Sequence, residues 1–293
     1  MASVSADGSI IAGAFDTDGF YRWTSSGTDY QVSPANIGAV QFAVMSSNAT
    51  TVVGRSRISG SGPRGFRWTA ATGYVPVSPL GTAVPDSFAY LNGVSPNGAW
   101  SFGFSSRLGS SPRSFLLSPS GAKIDLGLVG GLGPGVAAIS DDGQFAIASV
   151  ATFDPVPRTR ALAWTPQSGY VDLPGVPSEF LVDGTVTPVA MTPDHSIIIG
   201  TATKLGSSGR VFVLRPDGFR FLDEILDGDM VIAGWSQLVP TGLSADGQTI
   251  VGYGTDPQGR IQGWVTTIPA PSGLGLIVLG GIVARRHRRS PHI

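Results

Sequence analysis

The chain contains no cysteine and only three histidines, and charged residues make up 13% of its 293 positions. The first absence excludes disulfides, thiolate zinc sites and cysteine nucleophiles, while leaving the compartment open. Of the histidines, His287 and His292 lie at the extreme C-terminus. His195 alone serves the body, and one histidine cannot build a histidine-rich metal centre. Gly-x-Ser-x-Gly, His-Glu-x-x-His and phosphate-loop motifs are all absent. A glycine run does occur over 130–135, but it leads into the apolar stretch Val136–Ile139. That stretch reads as a strand, whereas a dinucleotide site needs a helix there. The run is therefore a loop between repeats.

Acidic clusters are equally thin. Asp16-Thr17-Asp18-Gly19 and Asp141-Asp142-Gly143 offer oxygen ligands, but neither has an EF-hand spacing with a distal Glu, and Asp-Gly turns explain both. Asp223, Glu224, Asp227 and Asp229 form a denser patch, read first as a solvated loop and second as a cation or substrate site. No catalytic, cofactor or metal residue is assigned. The tail holds four arginines and no acid. The body keeps 15 of the 19 basic residues against all 20 acidic ones, a charge of about −5. An acidic body argues against nucleic acid, which needs a basic face.

What the chain does have is glycine (41), proline (22) and many β-branched and aromatic residues. This mixture favours short strands joined by tight turns. A repeat dominates the body. Ser or Thr is followed at +2 by Asp or Asn and at +8 by Gly: Ser5-Asp7-Gly13, Ser46-Asn48-Gly54, Ser95-Asn97-Gly103, Ser140-Asp142-Ala148, Thr192-Asp194-Gly200 and Ser244-Asp246-Gly252. The anchors lie 41, 49, 45, 52 and 52 residues apart. A second anchor follows about twenty residues later: Tyr21-Arg22-Trp23, Phe66-Arg67-Trp68, Phe115-Leu116-Leu117, Leu162-Ala163-Trp164, Phe212-Val213-Leu214 and Gln262-Gly263-Trp264. Apolar residues two apart share one face of a strand, so the Trp points to the core and the intervening Arg to the surface or between units. Base stacking on these Arg-Trp pairs is not expected.

Each unit reads as four strands. A period of 40–50 residues with four strands is the mark of propeller blades. A sandwich rarely gives six near-equal units, and a solenoid has shorter coils. The expected fold is all-β, a propeller of about six four-stranded blades over residues 2–268, with units starting near 2, 43, 91, 136, 187 and 240. The Asp-Gly and Asn-Gly pairs suit two-residue hairpins of the type I′ class. Asn48-Ala49 and Asp194-His195 do not, and predict another loop geometry. The Gly at +8 marks either a close backbone approach beside a central channel or the end of a strand. Copy six runs out after its third strand, and copy one has only four residues before Ser5. No basic-then-apolar leader opens the chain. The expectation is an exported protein whose start is truncated or mis-assigned.

Residues 269–293 form a separate tail: the Pro269-Ala270-Pro271-Ser272 motif, an apolar helix over 273–284 and a basic end over 285–289. The anchor residues are Leu274, Leu276, Ile277, Val278, Leu279, Ile282 and Val283, and the basic stop is Arg285, Arg286, Arg288 and Arg289. Twelve helical residues span about 18 Å, short of a full bilayer crossing. Local thinning and snorkelling arginines supply the remainder, and the basic end stays cytoplasmic.

These motifs carry two resemblances. The Ser-x-Asp-Gly, Val-Val-Gly and Phe-Arg-Trp-Thr units resemble bacterial extracellular repeat (HAF family) sequences. The tail resembles the PEP-CTERM sorting signal, with Ala270 in place of the usual Glu. The resemblance implies an exported protein of the cell envelope, surface or matrix. It would be transiently membrane-anchored by its C-terminus and processed by an exosortase-like enzyme. The expected role is a non-enzymatic scaffold or binding module for glycan, protein or extracellular polymer. The alternative is a polysaccharide lyase or glycosidase, which would need two carboxyls converging in a cleft.

Overall fold

The computed structural model describes residues 2–15, 19–57, 63–81, 87–106, 110–153, 157–204, 206–226 and 234–269. Within these the chain is a series of antiparallel meanders, each strand pairing with the next. Blade 1 comprises β1 (Ala2–Val4), β2 (Ile10–Phe15), β3 (Gly19–Thr24) and β4 (Gly27–Val32). Blade 2 comprises β5 (Ala39–Met45), β6 (Thr51–Arg57), β7 (Pro63–Thr69) and β8 (Gly73–Val77). Blade 3 comprises β9 (Phe88–Val94), β10 (Ser101–Ser106), β11 (Arg113–Leu117) and β12 (Lys123–Asp125). Blade 4 comprises β13 (Gly135–Ile139), β14 (Ala146–Thr152), β15 (Arg158–Thr165) and β16 (Gly169–Asp172). A short helix α1 (Ser178–Asp183) leads into blade 5, with β17 (Gly184–Met191), β18 (Ile198–Lys204), β19 (Arg210–Arg215) and β20 (Gly218–Phe221). Helix α2 (Leu222–Ile225) then precedes blade 6, which has three strands: β21 (Ser236–Leu243), β22 (Thr249–Thr255) and β23 (Ile261–Thr267). Among the described residues the sixth blade thus has three of the expected four strands. A single parallel bridge, Arg64 to Ala89, fuses blades 2 and 3 into one hydrogen-bonded sheet.

Most of the buried core lies between blades; one small cluster, Ala148, Val150 and Leu162, lies within blade 4. Successive side chains on a strand point to opposite faces, so each blade offers one apolar face backward and one forward. Phe20 of blade 1 packs with Phe66 and Trp68 of blade 2. Val53 and Val77 meet Leu91 and Phe115 at the next junction, and Phe102 and Leu116 meet Ala146 and Trp164 after it. Ile147 and Ala163 meet Phe212 and Leu214, and Ile199 and Val213 meet Ile250 and Trp264. Six blades therefore make five junctions. Among the described residues, no hydrogen bond and no buried apolar cluster joins blade 6 to blade 1.

The Ser-x-Asx segment closes the first hairpin of every blade, by a different turn from the two-residue type expected. The Ser5 N–H donates to the Ile10 carbonyl, and the Gly8 N–H donates to the Ser5 carbonyl. The Ser5 hydroxyl donates to Asp7 Oδ1 at 2.6 Å, and accepts from the Ile10 N–H at 2.9 Å. Asp7 Oδ1 also accepts from the Ser9 N–H. The result is a longer, side-chain-wired loop with one left-handed residue at +3. Ala49 and His195 hold that same conformation, with φ of 59° and 53° and the same backbone bonds. Their hairpins do not use another geometry, contrary to expectation. The side-chain wiring compensates for the strain of a Cβ at positive φ.

The +8 glycines answer to close approach, but the neighbour is the blade's own first strand rather than a central channel. A bulge shifts the register of that strand in blades 2 to 6. Its carbonyl would lie 2.0 Å from a Cβ at Gly54 (Phe42 O), 1.9 Å at Gly103 (Tyr90 O) and 2.2 Å at Gly200 (Thr187 O). At these three positions a Cβ would collide with the bulged carbonyl, whereas blade 4 carries its bulge opposite Ala148.

Two further expectations need correction. Trp23 is exposed, not core, because no blade among the described residues stands behind blade 1. In blade 6 the second anchor sits two residues later than its Trp suggests: Ile250 pairs with Thr266, and Trp264 pairs with Gly252. Trp264 therefore occupies the place of Phe66, not of Trp68, and the buried Thr266 hydroxyl has no hydrogen-bond partner.

Candidate functional site

Antiparallel meandering places all connections of one kind at one end of the strands. The first-to-second and third-to-fourth turns share one end and are short, from 216–217 to 140–145. The second-to-third loops and the links between blades share the other end. The second-to-third loops are no longer than the turns, but the links are longer and unlike one another, reaching 78–87, 173–183 and 222–235, with α1 and α2 among them. One face is thus uniform and the other variable.

The uniform face is wired from blade to blade. The Ala6 N–H donates to the Ser47 carbonyl, and the Asn48 N–H to the Pro96 carbonyl. The Asn48 side-chain amide donates to the Asn97 carbonyl, and the Asn97 amide to the Asp141 carbonyl. Asn at +2 does what Asp cannot, since its NH2 reaches forward while its oxygen caps its own turn. Where Asp stands at +2, the hydroxyl and N–H donors favour its charged form. The Ser5 hydroxyl and the Ser9 N–H hold Asp7 down to about 2. Ser140, Thr192 and Ser244, each with a following N–H, lower Asp142, Asp194 and Asp246 likewise. These carboxylates are structural caps. Asp142 and Asp141, read from the sequence as Asp-Gly turn residues in preference to cation ligands, serve these turns. Arg22 and Arg67 also face between blades. They donate to the turn carbonyls of Ala49 and Gly98, and Arg22 lies over the Trp68 ring at 5.5 Å.

On the variable face, a cleft of about 250 Å³ opens between blades 2 and 3. It is lined by Pro79, Leu80, Ser87, Ser105, Ser106, Ser110, Ser111 and Arg113. Arg113 is held at 2.5 Å by Asp125, and the Ser105 hydroxyl accepts from the Leu80 N–H. Hydroxyls around one neutralised guanidinium suit a neutral or weakly acidic polyol better than a strongly charged ligand. Sequence reasoning missed this cleft, although the five serines between 105 and 114 were visible. A larger groove of about 430 Å³ lies between the outer strands of the same two blades, with Arg67 and Lys123 in its wall.

The acidic patch is divided. Asp223 and Glu224 both accept from Arg210 at 2.8 Å, and that guanidinium lies 3.7 Å over the Phe221 ring. Asp227 and Asp229 lie outside the described residues, as do Asp16 and Asp18. Among the described residues no group of three His, Asp or Glu could hold a metal. His195 is exposed and stacked on Phe145 at 4.6 Å. Of the sorting motif only Pro269 is described. Ala270 to Ser272, the anchor residues Leu274–Val283 and the basic stop Arg285–Arg289 lie outside. Among the described residues no helix is long and apolar enough to cross a membrane.

No protein-family model and no curated protein matches the chain by sequence. Solved structures match its shape. The β-propeller domain of the trilobed protease from Pyrococcus furiosus, described as having an open velcro topology, matches at TM-score 0.59 with 6% identity, over 90% of this chain and 80% of its own. The oligogalacturonate lyase of Vibrio parahaemolyticus matches at TM-score 0.56 with 12% identity, over 89% and 75%. A putative TolB from Agrobacterium tumefaciens matches at TM-score 0.50 with 14% identity, over 92% and 90%. The fold is a β-propeller. The chain spans about half the length of some other matches, 52% of TolB from Acinetobacter baumannii and 42% of a prolyl endopeptidase. At these identities the likeness concerns the propeller alone. The matched propellers come from a lyase, proteases and TolB proteins, so they do not assign a chemistry.

Proposed function

We propose that this propeller is a non-enzymatic scaffold that displays a binding surface outside the cell, delivered there through its C-terminal tail. The observation that carries the reading is the division of labour between its two faces. One is closed by repeated, hydrogen-bonded turns, and the other gathers every long, dissimilar connection. Binding residues concentrate on loops held by a rigid scaffold. The serine-lined cleft by Arg113 is the place on that face where a glycan or extracellular polymer would sit. The tail's Pro269-to-Arg289 order supports export, a surface or matrix address and processing by an exosortase-like enzyme. A polysaccharide-cleaving reading gains nothing from Asp223 and Glu224, which are both engaged by Arg210.

Two measurements test this. Retention of purified extracellular polysaccharide by the full chain should be lost in Ser111→Trp, which fills the cleft, and kept in Ser26→Trp on the turn face. Equal loss in both variants, or depolymerisation of the polymer by the chain, refutes display through the loop face. Mass spectrometry of protein recovered from producing cells should show cleavage near Pro269–Ser272. A surface-located chain still carrying Arg285–Arg289 would refute the sorting step.

A further inference from the structure

Five junctions among six blades leave two half-junctions without a partner, and each can be compared with its filled equivalents. The residue at +7 on the second strand points forward. It is Ala12, Val53, Phe102, Ile147 and Ile199 in blades 1 to 5, all between 0 and 5% exposed, and Val251 in blade 6, 42% exposed. The third-strand residue opposite +6 points backward. It is Trp68, Leu117, Trp164, Leu214 and Thr266 in blades 2 to 6, all between 5 and 8% exposed, and Trp23 in blade 1, 45% exposed. The turns repeat the pattern. A Cβ at Gly98 would meet Thr50 and Thr51 of the preceding blade, one at Gly143 would meet Trp100, and one at Gly247 would meet Ile197. The equivalent Gly8 of blade 1 has nothing within 4 Å.

Both open faces are apolar. Strand alternation places Val4, Phe15, Trp23, Tyr30 and Val32 together on the back of blade 1. It places Val251, Tyr253, Ile261 and Val265 together on the front of blade 6. These are nine of the fifteen large apolar side chains exposed among the described residues. Apolar patches of this kind mark interaction sites.

We propose that the back of blade 1 and the front of blade 6 join in trans, so that copies of this chain associate head to tail through a sixth junction of the kind already made five times within each copy. The two faces differ and are complementary, which makes the contact heterologous rather than two-fold. Within one copy the first three blades are held to one another at their turns, by Ala6 to Ser47 and Asn48 to Pro96. The proposal does not depend on where the protein resides.

Sedimentation velocity of the full chain over a concentration series tests it. The wild type should associate reversibly. Trp23→Asp and Val251→Asp change exposed residues, so both should keep the circular dichroism spectrum and melting temperature, and each alone should remain monomeric. Mixed together, they still share one intact pair of faces and should form a dimer that grows no further. A wild type monomeric at every concentration overturns the proposal, whether the faces then close in cis or take a different protein. So does association that survives both substitutions, which would place the contact elsewhere, for instance in the apolar tail. Loss in Trp23→Asp alone would indicate a two-fold contact and equally refute the head-to-tail arrangement.

Discussion

Trp23 and Trp164 stand at the same point of the same repeat, yet one is half exposed and the other buried. Each sits on a third strand, faces backward, and pairs with the residue six positions after its anchor serine. What differs is only whether a blade lies behind. An interior blade is stabilised by what its neighbours cover, so the same side chain is core in one copy and surface in another. Stability in this molecule belongs to junctions rather than to blades, as expected for an array whose repeats contact only their neighbours.

The sharpest way to break that comparison is to truncate both tryptophans. Trp164→Ala removes a side chain packed against Phe102 and Leu116, and should cost about 3–5 kcal/mol in chemical denaturation. Trp23→Ala should cost less than about 1 kcal/mol in the monomer. Equal losses would mean that blade 1 is covered in solution. Next come the glycines. Gly103→Ala drives a methyl into the Tyr90 carbonyl and should cost at least about 1–3 kcal/mol. Gly8→Ala meets no atom and bears only the strain of φ +71°, roughly 1 kcal/mol. Thermal melts of the two variants give the order. A smaller contrast separates the anchor serines. Ser140→Ala leaves the Phe145 N–H and Asp142 without their partner hydroxyl, worth about 1 kcal/mol. Ser244→Ala in the more exposed turn of blade 6 should cost roughly half of that.

Acid supplies the gentlest test, and it divides the turns by chemistry instead of position. The caps at Asp7, Asp142, Asp194 and Asp246 have lowered folded-state values because hydroxyl and amide donors favour the carboxylate. A depressed carboxylate contributes stability that is fully present above the ordinary aspartate value near ~4. That contribution fades as pH falls through the folded value, about 2 for Asp7. Amide NMR shifts of Ser9, Gln144, Ser196 and Gln248 should therefore move between about pH 4 and 2. Those of Thr50 and Ala99, capped by Asn48 and Asn97, should stay still. Movement at all six would mean that the turns open together.

The periodic parts of this structure were legible in the sequence because their chemistry is local. A hydroxyl and an Asx two residues on specify a wired turn within six residues. Four features were not legible, each for a physical reason. The blade 6 register was misread by two residues, because Trp264 satisfies strand alternation at either of two places on the same face. The turns at Ala49 and His195 looked foreign, because neither residue favours positive φ, and only the Ser-Asx wiring holds them there. The exposed ends were invisible, because Trp23 and Val251 sit in sequence that reads like any interior blade. The serine cleft draws on loops of two blades, and no single repeat carries it.

Among the described residues five of the six buried apolar clusters are shared between adjacent blades, which limits how such a chain can change length. A break after Asp125 would leave Phe102 and Leu116 on one fragment and Ala146 and Trp164 on the other, each facing water. A deletion restores a matched pair of surfaces only if both cuts fall at the same phase of the repeat. Lengthening or shortening should therefore proceed in whole steps of 41 to 52 residues, and a nick at any link between blades should yield fragments that re-associate rather than fold apart.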